Sequence, residues 1–246
     1  MSFTIGIAGN GWALAAVDQR FTQPDGTTND WGGKMISGRH GWAAATGPAV
    51  MSVHTLDKLR GVDFRDLTET RRIAREALRT WGGTVTGANP PGKGIHTVAR
   101  IAPEGPLVSV VWFNGDLAGE SDLAVPHPPG MSERAFAALY PKIAAACKRY
   151  RQDWRRMARA TGRIFEEASQ AGTTISPTME VGIVRRGSEG SELLHWCGSA
   201  TDLGTMHPDR IADTFGPPPL ASLWPWEAKC REREAEHLHT QTRQTA

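Results

Sequence analysis

Four strand patterns crowd into residues 3 to 46, and two helical patterns follow them directly. Residues 3–8 and 12–18 read as a hairpin, because Ile5 and Ile7 alternate with other residues and Gly9-Asn10-Gly11 supplies turn chemistry. Residues 34–37 and 42–46 form a second, shorter hairpin pattern. Between them, residues 21–33 hold Pro24, Asp25, Gly26, Asn29, Gly32 and Gly33, a loop composition. Behind Pro48, the residues Val50, Val53, Leu56 and Leu59 recur at helical spacing, with Gly61 as the stop. A second helix begins near Asp66, a cap candidate with Glu69 three residues later, and runs through Ile73, Ala77, Leu78 and Trp81 to Gly82-Gly83. Helices laid on one face of a mostly antiparallel sheet make a layered α+β domain.

The rest of the chain repeats this alternation. After a Gly/Pro-rich loop at 87–94, residues 95–101 and 107–113 are rich in β-branched residues and flank Pro103-Glu104-Gly105-Pro106, which predicts a strand pair. Residues 114–130 read as irregular. Helical stretches follow at about 132–148 and 150–171, then a last hairpin at 178–185 and 191–196 around Gly187-Ser188-Glu189-Gly190. Residues 197–246 stand outside this plan: they carry Gly216-Pro217-Pro218-Pro219, Trp224-Pro225-Trp226, a charged helix at about 227–238 and a polar tail.

Composition narrows the function classes. A net charge of +2 argues against a dedicated nucleic-acid binder. The basic run from Lys148 and Arg149 to Arg159 and Arg163 reads as the solvated outer face of helices. Cys147, Cys197 and Cys230 are too few and too scattered for a disulfide framework or a zinc signature, which points to a reducing, cytoplasmic setting. No basic region precedes an apolar run at the N-terminus, and no stretch approaches the roughly 18 apolar residues of a membrane helix. His237 and His239 read as chance neighbours, and His195 and Cys197 as packing residues, so neither metal nor cofactor is expected.

The chemistry-bearing residues lie in the first hairpins. Met1 precedes a small residue, so methionine excision leaves Ser2 as the terminus, a hydroxyl beside its own α-amine. That amine, with a reference pKa of about 7.7 to 8.0, is a suitable base for the hydroxyl. Asp18 lies sixteen residues after Ser2, and Lys34 sixteen after Asp18. Together with Ser2-Phe3-Thr4-Ile5-Gly6-Ile7, the strand that ends Asp18-Gln19-Arg20, and Gly41-Trp42-Ala43-Ala44-Ala45-Thr46-Gly47, this spacing resembles the proteasome-like N-terminal nucleophile hydrolases, which include proteasome β subunits, the HslV peptidase and the Anbu group.

The resemblance covers residues 2–196 and implies a four-layer αββα sandwich there, with 197–246 as a C-terminal extension. It also implies roles: Ser2 as nucleophile, Lys34 as the cation that lowers the amine's pKa, Asp18 as its counter-ion, Gly47 N–H as oxyanion donor, and Arg20 in support. The implied reaction is hydrolysis of a peptide or amide through an acyl-Ser2 ester, or transfer of the acyl group to an amine, in a homo-oligomer. The alternative is a catalytically silent assembly subunit. Departures from the family pattern are serine in place of threonine, Pro128-Pro129-Gly130-Met131-Ser132 where the family has Gly-Ser-Gly, and no Asp three residues before a serine near the late hairpin; Ser176 lies in that region and is given no role.

Overall fold

The structure is a computed structural model, described at residues 3–22, 28–29, 33–82, 94–128, 131–171, 175–188 and 190–219. Its first strands, β1 (Thr4–Gly9) and β2 (Trp12–Asp18), make the expected hairpin, turning at Gly11 with φ of 80°. A short ribbon of β3 (Phe21–Thr22) and β4 (Thr28–Asn29) lies within the segment read as loop; the rest of 21–33 up to Gly32 is outside the described residues. The second hairpin, β5 (Met35–Gly38) and β6 (Gly41–Thr46), leads into α1 (Ala49–Leu59) and α2 (Thr68–Trp81). Then come β7 (Ile95–Ala102), β8 (Gly105–Trp112), β9 (Leu117–Ser121) and β10 (Leu123–Ala124). Helices α3 (Glu133–Tyr150) and α4 (Trp154–Ala171), strands β11 (Thr178–Gly187) and β12 (Gly190–Ser199), and helices α5 (Ala200–Thr205) and α6 (Pro208–Thr214) complete the described chain.

Among the described residues the fold is mixed α+β, with two five-stranded antiparallel sheets and six helices. The first sheet has the order β10-β1-β2-β11-β12, and the second β5-β6-β7-β8-β9. Successive side chains of a strand point to opposite faces, and in β2 both faces are buried. Ala13, Ala15 and Val17 meet Met35, Trp42, Ala44 and Val108 of the second sheet. Trp12, Leu14 and Ala16 share a core with Leu139 and Ile143 of α3 and Met157 and Phe165 of α4. Ala43, Ala45, Val98 and Val111 of the second sheet turn the other way, toward Leu56 and Leu59 of α1 and Ile73 and Ala74 of α2.

Small residues set the distance between the sheets. A Cβ at Gly182 would fall 2.4 Å from the Trp42 indole, so that glycine admits the ring, and the indole N–H donates to Ile183 O at 3.0 Å. The bond offsets the burial of a polar group that would cost roughly 1–3 kcal/mol unpaired. In α4, Trp154, Met157, Ala158, Thr161, Ile164, Phe165 and Ala168 form the buried stripe that a 3.6-residue period demands.

Several boundaries differ from the sequence reading. Residues 114–130 are not wholly irregular: β9 and β10 lie there, although every residue of β9 is exposed. Without a buried face β9 leaves no alternation to read. It is held by its backbone ladder to β8 and by Glu120, which accepts from the buried Arg100 at 2.7 Å. Asp66 does not begin α2; its carboxylate takes the Thr68 N–H at 2.8 Å and the helix starts two residues later. The β7–β8 turn is shorter than read, with Gly105 and Pro106 already in strand. The 87–94 loop is outside the described residues up to Lys93.

The boundary expected at 196 falls inside β12, which runs on to Ser199. Ala200 and Leu203 of α5, Ile211 of α6 and Phe215 are buried in the same core as α4. Residues 220–246, including the charged helix read at 227–238, lie outside the described residues.

Candidate functional site

Asp18 ends β2 in the first sheet, and Lys34 precedes β5 in the second. Stacking the sheets brings the two side chains together in a place where neither meets solvent, at 0% and 1% exposure. Lys34 Nζ lies 3.5 Å from Asp18 Oδ2 and also donates to the Arg20 backbone carbonyl. The ion pair therefore bridges the sheets.

Asp18 has further partners. Its Oδ1 accepts the Phe3 N–H at 2.7 Å, and Oδ2 accepts the N–H groups of Arg20 at 3.1 Å and Ser176 at 3.4 Å. Burial pushes its pKa up, while the Lys34 ammonium and these three N–H groups pull it down. The net direction is upward, as desolvation of a carboxylate predicts. This carboxylate is thus a hub for three segments that are remote in sequence: the chain start, the β2 end and the approach to β11.

Lys34 is fixed at its backbone too. Its N–H donates to Glu180 Oε2 at 2.8 Å, and its carbonyl accepts from Ala45 N at 3.0 Å. Glu180 is the third residue of β11, only 2% exposed, and its other oxygen lies 3.6 Å from His195 Nε2. The His195 ring stacks on Trp42 with centroids 5.4 Å apart. The Lys34–Ala45 pairing also places Gly47 near, two residues on at the end of β6. Gly47 has φ of 137°, a backbone state that L side chains rarely adopt, and a Cβ there would meet Gly94 Cα at 2.7 Å.

Asp18, Arg20, Lys34 and Gly47 gather at one end of the two sheets, Arg20 through its backbone N–H and carbonyl. Ser2 lies outside the described residues. What the sequence reading left out is Glu180, together with a role for Ser176, which is fully buried and whose hydroxyl bonds Thr178 Oγ1 at 2.6 Å. A signal for Glu180 was present: a single carboxylate inside the otherwise apolar Met179-Glu180-Val181-Gly182-Ile183-Val184 run must find a donor or stay exposed.

Cys197, exposed at the rim of this neighbourhood, accepts from Gln19 Nε2 at 3.0 Å; partial desolvation, with the Glu180 charge second, pushes its thiol up to about 11. It is therefore protonated and a poor nucleophile at neutral pH. Among the described residues no three His, Cys, Asp or Glu side chains group as metal ligands would. Nor is any described helix long and apolar enough to cross a membrane. No protein-family model matches the chain, and a search of curated proteins finds no match.

Proposed function

We propose that the chain is an N-terminal-serine amide-bond hydrolase, built as an αββα sandwich of the proteasome-like kind and acting through an acyl-Ser2 ester. The observation that carries this reading is the buried Asp18–Lys34 pair, together with the 2.7 Å bond from the Phe3 N–H to the same carboxylate. Phe3 is covalently joined to Ser2, so the charge pair is anchored to the residue next to the nucleophile. The layered reading is supported by the facing of the two sheets and by helix pairs packed on their outer sides.

In this mechanism the neutral Ser2 amine takes the hydroxyl proton as Oγ attacks the carbonyl carbon, and later returns it to the leaving amine. Lys34 disfavours the protonated amine by like charge. Asp18 and the Arg20 carbonyl hold Lys34, so that its charge costs no reorganisation during the reaction. The Gly47 N–H stabilises the oxyanion, a contribution of about 2.7–4 kcal/mol where such donors have been removed. Water resolves the ester, or an amine does so by transfer.

The test is intact mass before and after a β-lactone or epoxyketone. Loss of Met1 and one adduct on Ser2 are expected, with no adduct in Ser2→Ala and labelling slowed about a hundredfold or more in Lys34→Ala. Retained Met1, or a freed Ser2 that never labels, would discard the hydrolase in favour of a silent assembly subunit.

A further inference from the structure

Five basic residues of α3 and α4 cluster together. They line the two walls of a groove of about 460 Å³ between these helices, with His207 and Pro208 at the start of α6 along its rim. Lys142 and Arg149 stand on one wall, Arg156, Arg159 and Arg163 on the other, and Glu167 is the one carboxylate in the lining. Ala146, Ala160 and Ile164 form an apolar floor. Five cations against one carboxylate leave more positive charge here than the +2 of the whole chain.

The charge is positioned as well as concentrated. Gly162 of α4 and Gly204 of α5 touch backbone to backbone, since a Cβ at Gly162 would fall 2.6 Å from Gly204 N. That contact presents the Gly204 carbonyl to two arginines one turn apart, and it accepts from Arg159 Nε at 3.2 Å and Arg163 Nε at 2.9 Å. Both guanidiniums are thus held by Nε, and their terminal nitrogens are left to other acceptors. On the facing wall the Arg149 guanidinium rests on the Tyr150 ring, 5.4 Å from its centroid. Lys142 is matched by Glu167 and Arg156 by Asp153, whereas Arg149, Arg159 and Arg163 have no carboxylate within ion-pair distance among the described residues.

Like charges facing each other across a narrow cleft repel, and an anion between them reverses the sign of that interaction. Guanidinium edges suit phosphoryl oxygens bidentately. Lys142 and Glu167 pair across the groove, and the α3–α4 connection is short. The groove's volume lies within the roughly 300–1,000 Å³ of small-molecule pockets. We propose that this groove binds a small ligand carrying linked phosphoryl groups, of di- or triphosphate size, away from the Asp18–Lys34 pair. A compact phosphate chain supplies several negative charges within the cleft, which single carboxylates cannot.

The experiment is calorimetric titration of the full chain with inorganic tripolyphosphate at low salt. One-to-one binding is expected, weakened roughly tenfold or more in Arg149→Gln and in Arg163→Gln, as loss of a charged hydrogen bond predicts, and unchanged in Arg72→Gln on α2. Arg149 is exposed, so its variant tests the groove even if Arg163→Gln loosens α5. Equal affinity in all four proteins would overturn the proposal. So would a single-stranded oligonucleotide that binds through these arginines more tightly than tripolyphosphate.

Discussion

The inter-sheet cluster at Asp18 and the groove between α3 and α4 both concentrate charge, and they resolve it in opposite ways. Around Asp18 every charge is matched inside the fold, with an ammonium and three N–H groups on one buried carboxylate. In the groove three guanidiniums are oriented but unmatched, and water screens them. The first arrangement meets its desolvation cost during folding and can act on a neighbour without rearranging; the second keeps its charge available to something that arrives from outside. Under the two proposals, the contrast separates a place for chemistry from a place for recognition.

The sharpest way to break this comparison is to remove one member of the matched set. Lys34→Met leaves the Asp18 carboxylate buried without its cation and should cost about 3–5 kcal/mol by chemical denaturation. In Asp18→Asn/Lys34→Met the loss should be less than the sum of the two single losses, because each single change strands a partner that the double change removes. Additive losses would mean that the pair is not coupled.

A buried titratable group kept neutral provides a third setting. His96 of β7 lies fully buried against Phe113, and burial pushes its pKa down from 6.5 to about 4. The unfolded chain takes up this proton first, so stability is intact above about pH 6.5 and falls as the pH drops toward 4, by an amount of order 3 kcal/mol. His96→Leu should flatten that part of the pH–stability curve; an unchanged slope would assign the acid sensitivity elsewhere. The smallest effect belongs to the groove. Arg149→Gln should move unfolding by no more than about 0.5 kcal/mol, since an exposed charge with no ion-pair partner adds little to the fold beyond its contact with Tyr150. A larger loss would place Arg149 among the structural residues.

The sequence revealed those elements that bury a face. The β1–β2 and β5–β6 hairpins, and the helices with apolar stripes, follow from local period and turn chemistry. The exposed β9 does not, because what fixes it is the Glu120–Arg100 contact with a strand twenty residues earlier. The short α5 and α6 were hidden for a related reason: Leu203, Ile211 and Phe215 are single apolar residues whose burial depends on α4. The candidate site divides along the same line. Asp18, Lys34 and Gly47 lie in one short run and can be read by spacing, whereas Glu180 and Ser176 reach them only through the β2–β11 ladder, which no local pattern encodes.

That ladder bears on how the chain assembles as it is made. The second sheet is laid down from strands in chain order, so each new strand finds its neighbour already present. The first sheet inserts β2 between β1 and β11, and Trp12–Asp18 must wait for Thr178–Gly187 before its second edge is covered. At about 5–20 residues per second the wait lasts roughly 8–32 s, with an apolar edge open to other nascent chains. Asp18 receives its last N–H donor from Ser176 at the end of the same interval. A chain that stops short of β11 would therefore carry an unpaired strand edge and an Asp18 carboxylate bonded by water where the Ser176 N–H belongs, two differences from the finished molecule.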